Sequence, residues 1–477
     1  MVSIGAGAPA LAGDWTVRPA IQVDEKWSDN VYTTAHDKQS DFITSVMPGI
    51  QVEGQGGGVK AALNYDIAYD HYAENNDLDG FRHDGMGLAE AELLKDLFYL
   101  DLRGSVSEEE LDAIDPTAAG GRTTAANRVR LGAYTFMPNL RHSFGPWALG
   151  LASYRHFGTK YWPTANVDLT GQVEDSTGDG GSIQLRSGEN FSRILWEVTG
   201  DTMRVERGGR IFTATGEQLR GEYRLSPQWG ILAHGGHDYI NDDGLDSNTY
   251  SGPFYGGGLH WTPAEKSDLR VEVGRRYNVV DIGVRGNFQL GAFTTLRLLH
   301  DTTVTTEAQT MADALGVVER DEMGHFIDPF SGLLADPAAT PFNRTDSVFK
   351  LRRSQGSLTW RHHRDTISLV GRYMTRQDMV GPQSASSEAT AVTGTVVWTH
   401  QLTERLSGTA RLARDQILNA AIASREGVKY RASFDLAYQL TDRAQVVAGY
   451  RYVDSQRENR DNVAENMIGI GLRYSLN

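Results

Sequence analysis

The sequence predicts an all-β chain, a single transmembrane antiparallel β-barrel of about 22 strands. Three observations carry this. No run approaches the roughly 18 to 20 apolar residues of a membrane helix. Apolar residues instead recur at every second position, the signature of a strand with two unlike faces. Short polar turns and longer acidic or Gly/Ser-rich loops follow one another along the chain, as periplasmic turns and extracellular loops do in outer-membrane barrels.

The alternation is plainest at the end of the chain. Ile468, Ile470, Leu472, Tyr474 and Leu476 share one face, with Gly469, Gly471, Arg473 and Ser475 on the other. Residues 428–440 set Val428, Tyr430, Phe434, Leu436 and Tyr438 against Lys429, Arg431, Ser433 and Asp435. Residues 59–70 do the same with Leu63, Tyr65, Ile67 and Tyr69 against Lys60, Asn64, Asp66 and Asp70. Short turns are expected at Gly54–Gly58, Lys95-Asp96, Gly200-Asp201, Ser226-Pro227, Pro263–Ser267, His363–Asp365, Leu402–Arg405 and Leu440–Arg443. Long loops are expected at 28–40, 71–83, 107–124, 158–188, 240–249, 307–345, 378–388, 415–426 and 455–462. An even strand number puts both ends of the barrel on the short-turn side. Gly208-Gly209 and Asn278–Val280 are weak points, and merging strands there gives eighteen or twenty.

Composition agrees with this architecture. The chain has 477 residues, a net charge of −15, 40% apolar residues and no cysteine. A mean hydropathy of −0.41 looks soluble, but a barrel meets lipid only at alternate positions, so its average stays low. The missing cysteines exclude a disulfide scaffold, a thiolate metal site and a cysteine nucleophile. Of the 46 basic residues 8 are lysine, which leaves 46 − 8 = 38 arginines. No lysine-rich run supplies a phosphate-binding patch, so nucleic acid is not an expected partner. Ala10 and Ala12 fit the small residues before an export cleavage site, so residues 1–12 read as the tail of a signal peptide and 13–477 as the barrel. Strand one begins near Trp15 with no plug domain ahead of it, which argues against a TonB-type transporter.

With the apolar face toward lipid, arginine falls repeatedly on the other face. The expected lumen-lining residues are Arg193, Arg220, Arg270, Arg285, Arg297, Arg372, Arg411, Arg431, Arg451 and Arg473. An outward charge at the bilayer midplane would cost about 2 to 4 kcal/mol, which fixes the frame. Inward acids Asp66, Asp101, Glu272, Asp281 and Asp435 are available to pair with them. An ionic network that stiffens the wall and a cationic stripe that guides an anionic solute both fit this pattern. Trp15, Trp147, Trp196, Trp261, Trp360, Trp398, Tyr438 and Tyr474 suit interfacial girdles.

The search for chemistry yields no catalytic residues, no metal site and no cofactor site. His362-His363 straddles a strand end, and His142, His234 and His237 lack partners at a ligand spacing. Gly256–Gly258 leads into a strand, not a helix, so it is no phosphate loop. The acidic run at Asp238–Asp246 lacks the closing Glu of a calcium loop. The loop 307–345 is the candidate constriction, because Asp328-Pro329, Asp336-Pro337 and Thr340-Pro341 suit a folded-back segment better than a strand.

Several phrases occur together in a familiar order. Trp15–Ile21, Ser28–Tyr32, Ser40–Thr44 and Pro48–Ile50 open the chain. Tyr223–Trp229, Gly235–Asn241, Leu259–Pro263, Val273–Tyr277 and Lys350–Arg353 follow. In this order the chain resembles the PEP-CTERM system-associated outer-membrane protein family over most of residues 15–477. It departs from outer-membrane barrels in ending at Asn477 and not at an aromatic residue. The resemblance implies an outer-membrane barrel tied to exopolysaccharide synthesis and export. The function expected from it is passive export through an arginine-rich lumen, without bond chemistry. A rim enzyme acting on lipid or polysaccharide, or a non-conducting scaffold for an export complex, are the alternatives. Expected partners are outer-membrane lipids and lipopolysaccharide, an acidic polysaccharide and periplasmic export proteins.

Overall fold

In the computed structural model the residues described are 13–114, 128–164, 173–243, 248–321, 323–379, 388–418, 426–458 and 460–476. The signal-peptide tail expected at 1–12 lies outside them, as do the middles of several long loops. The strands are β1 (Gly13–Ser28), β2 (Asp41–Gly56), β3 (Val59–Tyr72), β4 (Gly80–Leu94), β5 (Phe98–Glu110), β6 (Arg128–Ser143), β7 (Ala148–Pro163) and β8 (Ser176–Ser187). They continue with β9 (Ile194–Arg207), β10 (Arg210–Arg224), β11 (Trp229–Asp242), β12 (Asn248–Ala264), β13 (Ser267–Arg276), β14 (Val279–Leu290) and β15 (Thr294–Thr305). A helix α1 (Glu307–Gly316) and two short strands, β16 (Glu319–Arg320) and β17 (Phe326–Ile327), interrupt the series. It resumes with β18 (Phe349–His362), β19 (Asp365–Asp378), β20 (Glu388–Gln401), β21 (Leu406–Leu418), β22 (Gly427–Gln439), β23 (Ala444–Arg457) and β24 (Val463–Ser475).

All but β16 and β17 belong to one 22-stranded sheet in which each strand runs antiparallel to its chain neighbours. The sheet closes on itself. β1 pairs with β24 from Ala20↔Ser475 to Ser28↔Met467, so neither strand is left as a free edge. Closure satisfies the backbone in lipid, where an unpaired amide has no water to turn to. The outer face is apolar in the expected frame: Ile468, Ile470, Leu472 and Tyr474 are 59%, 58%, 46% and 41% exposed on β24.

Both weak points are tight hairpins, which is why the full count of 22 stands. Arg207 pairs with Arg210 around Gly208-Gly209, whose φ angles are 51° and 74°. Arg276 pairs with Val279 around Tyr277-Asn278, at 52° and 61°. Two successive positive φ angles match the twist of the flanking strands, so these are turns at the long-loop end with no loop to mark them. Two expected connections are revised. Gly200-Asp201 lies inside β9, paired with Asp201↔Gly216 and Gly200↔Glu217 on β10. The span 158–188 is mostly strand, because β7 continues to Pro163 and β8 begins at Ser176. Glycine and polar residues suggested turns in both places, but a lumen-facing strand tolerates them as a soluble strand would not.

Candidate functional site

The distinguishing feature of the lumen is residues 306–348, which leave the long-loop end of β15 and fold into the barrel before β18. Local chemistry makes the first ten residues a helix. Thr306 caps α1, its hydroxyl accepting from the Gln309 N–H, and Glu307 places an acid in the first turn. Ala308, Met311, Ala312 and Leu315 fall on one face and are buried.

That face meets an apolar patch on the inner wall. Met311 and Leu315 pack with Leu131 and Ala133 of β6. Ala308 and Ala312 join Phe157 of β7, Val205 of β9, Phe212 of β10 and Ile240 of β11. The wall then secures the segment by its backbone. Arg103 of β5 donates to the Leu315 and Val318 carbonyls at 3.1 and 2.8 Å, a cation at the negative end of the helix. Arg155 of β7 meets Asp313 at 2.5 Å.

Beyond α1 the chain crosses the barrel. Asp321 turns the β16–β17 hairpin by accepting from the Met323 and His325 N–H groups at 2.9 and 2.8 Å, and His325 meets its carboxylate at 3.0 Å. Arg320 meets Glu53 of β2 at 2.7 Å. The Phe330 carbonyl accepts from Ser357 of β18 at 2.6 Å and from Arg297 of β15 at 3.5 Å. Arg376 of β19 donates to the Asn343 carbonyl at 2.7 Å. One segment is therefore tied to walls on several sides of the lumen.

Arg344 is the crossing point. It meets Glu307 at 2.6 Å and Glu109 of β5 at 3.2 Å, and it donates to the Glu110 and Ala338 carbonyls at 2.8 and 3.0 Å. Burial works against its charge, but Glu307 and Glu109 outweigh burial and hold the guanidinium pKa above its ordinary value. Nearby, burial pushes the Asp336 carboxyl up despite Arg344. Burial also pushes Asp346 up to about 6, although the Glu174 N–H donates to it at 2.9 Å.

A second segment joins from β5. The Leu111 carbonyl accepts from the Arg344 N–H at 2.9 Å, and the Ala113 N–H donates to Asn343 at 3.2 Å. Glu110 reaches Lys429 of β22 at 2.8 Å, and Asp112 reaches Arg457 of β23 at 2.5 Å. The two segments together form a crossbar over the lumen at its long-loop end. Glu109, Glu110, Asp112 and Arg344 escaped the sequence reading, because nothing local distinguishes them from other loop charges.

The ten arginines singled out from sequence fall into four groups. Arg193 sits in the turn ahead of β9, its carbonyl accepting from the Arg224 N–H at 2.9 Å, because the alternation does not extend through a turn. Arg220, Arg270 and Arg285 lie on β10, β13 and β14. Arg220 meets Glu272 at 3.3 Å, and Arg270 faces Arg285 across the ladder. Arg220 and Arg270, with Arg186 and Arg224, line a cavity of about 970 Å³. Arg297 and Arg372 hold the crossbar, the latter through Asp328 at 3.9 Å.

The remaining four, Arg411, Arg431, Arg451 and Arg473, lie on the consecutive strands β21, β22, β23 and β24. Each alternates with outward Leu412, Tyr430, Tyr450 and Leu472, and so points inward. Arg431 pairs with Asp415. Arg411, Arg451 and Arg473 have no carboxylate within ion-pair distance among the described residues. The register Arg411↔Ser433↔Arg451 sets two of them level, one strand apart, about 10 Å from each other.

Comparisons with known proteins agree with this architecture. Residues 7–87 match the family model described as putative beta-barrel porin 2. No curated protein sequence matches the chain. Among solved structures it is similar to the FrpB iron transporter from Neisseria meningitidis, in the F5-1 variant apoprotein and the F3-3 variant. Identity is 10% in each case, with 96% of this chain and 81% or 82% of that chain covered, at a TM-score of 0.52. At that identity the likeness is one of fold. The fold is that of an outer-membrane β-barrel, and the opening segment of the chain is similar to a porin family. In barrels of this fold the short turns lie on the periplasmic side and the long loops, here the crossbar end, on the extracellular side.

Proposed function

We propose that this barrel is a passive outer-membrane channel whose cargo is an acidic polysaccharide on its way out of the cell. The observation that carries the reading is the arginine wall on β21–β24, where Arg411, Arg451 and Arg473 have no carboxylate within ion-pair distance among the described residues. Arginines without carboxylate partners attract repeated acidic groups, and a row of weak sites lets a chain advance without being trapped. The residues hold, orient and release the solute, and no bond is made or broken.

Reversal potential in a salt gradient across a planar bilayer tests this. The wild type is expected to favour anions, and Arg411→Glu with Arg451→Glu is expected to abolish that preference. Equal ion selectivity in both proteins overturns the reading. The number of ties on residues 306–348 favours one alternative, a closed barrel that scaffolds an export complex. Absence of any conductance, with retention of periplasmic export proteins on purification, would select it.

A further inference from the structure

Among the described residues the 22-stranded ladder skips short stretches beside Pro48 and Pro138, and it opens over longer runs of rows between β4 and β5 and between β14 and β15, both at the extracellular end. β4 and β5 pair from Leu94↔Phe98 up to Gly85↔Val106 and no further. The next residues in register, 81–84 and 107–110, remain strands but pair only on their far sides, with β3 and β6. β14 and β15 likewise stop at Val284↔His300. Each seam lies where a strand departs from the wall to carry the crossbar. A transmembrane barrel seldom leaves ladder rows open, because lipid offers an amide no partner.

The two seams differ in how they are filled. Beside the β14–β15 seam, Val304 is buried in an apolar cluster with Tyr250, Tyr277 and Met379 packed against it. The β4–β5 seam is polar. Arg130 of β6 reaches over β5 and donates to the open Phe81 carbonyl of β4 at 3.2 Å. Glu108 sits in the gap, 5% exposed, with no hydrogen-bond partner on either carboxylate oxygen. Its nearest cations are Arg128 and Arg130, at 3.8 and 3.9 Å. A buried carboxylate without donors is costly, so this is a site short of hydroxyl or similar donors. On the outer surface beside it, Phe81 is 56% exposed and leans on Tyr69 with ring centres 5.0 Å apart.

We infer that the β4–β5 seam binds the phosphorylated sugar head of a glycolipid from the outer leaflet. Sugar hydroxyls supply the donors Glu108 lacks, phosphate is recognised by Arg128 and Arg130, and the acyl chains lie along Phe81 and Tyr69. The inference rests on the outer-membrane placement and not on conduction, so bilayer measurements and lipid binding fail independently.

Native mass spectrometry of the detergent-purified protein with added lipid A tests it, with dephosphorylated lipid A and phosphatidylglycerol as comparisons. Lipid A is expected to be retained over both, and Arg130→Ala is expected to weaken retention about tenfold, with Arg130→Lys recovering part of it. The chain has no cysteine of its own, so Asp84→Cys with Ser107→Cys supplies one disulfide across the first open row. Oxidation is expected to lower lipid A retention and reduction to restore it. Equal retention of all three lipids, or retention unaffected by Arg130→Ala, overturns the inference. So does a disulfide that forms and changes nothing.

Discussion

The two halves of the inner wall differ in what they hold. From β5 to β11 the wall carries an apolar patch that buries the face of α1, and Arg103 and Arg155 beside it have partners in the crossbar. From β21 to β24 the wall is polar, and most of its arginines face the lumen without a carboxylate. The difference teaches that the same residue type does two jobs in one barrel. An arginine whose donors are all taken is structural. One whose donors face water is available to a solute.

Removing the crossbar should break the contrast most. Deleting residues 310–340 is expected to raise single-channel conductance severalfold. Unchanged conductance would show that the crossbar does not limit flow. Arg344→Met comes next. Taking away one partner of a buried ion network leaves Glu307 and Glu109 facing each other without a cation, at about 3 to 5 kcal/mol against docking of the segment. The expected signs are noisy, flickering conductance and faster cleavage of residues 306–348 by added protease, with the barrel still heat-modifiable on gels.

A pH dependence sharpens the same contrast. Asp346 is held up to about 6 by burial, whereas a carboxyl on an undocked, solvated segment titrates near an ordinary aspartate. The docked state therefore binds the extra proton between roughly pH 4 and 6. Its contribution to docking is fully present at acid pH and is lost as pH rises through about 6. Asp336, raised by burial, acts with the same sign. Protease access to the crossbar should increase over that interval, by an amount on the order of 1 kcal/mol once solvent screening is allowed for. Asp346→Asn should flatten most of the change. The smallest effect expected is that of Thr306→Ala, which removes the helix cap at about 1 kcal/mol and should show only as a modest rise in protease access.

Much of the barrel was legible because a period of two is a one-dimensional pattern. Tyr474 and Leu472 face lipid and Arg473 faces inward in the structure as in the sequence. The errors occurred where that pattern has no neighbour to check it. Gly200-Asp201 looked like a turn, although its neighbours on β10 keep it in the ladder. At 208–209 and 277–278 the two-residue turns are faint in the sequence, yet the expected count of 22 strands already includes them. The helix α1 spans only Glu307–Gly316, and half of its buried face is alanine, so its periodicity was faint beside the surrounding strands.

The sequence by itself determined the strands, their facing and the inward direction of the strand arginines, since a charge on the lipid side is too costly to permit another frame. Only the tertiary structure decided which arginines are occupied. Arg103 and Arg344 are held because a folded segment brings carbonyls and carboxylates to them, while Arg451 and Arg473 keep their donors for the lumen. Pairing across a barrel depends on distances between residues far apart in the chain, and no local pattern records those distances.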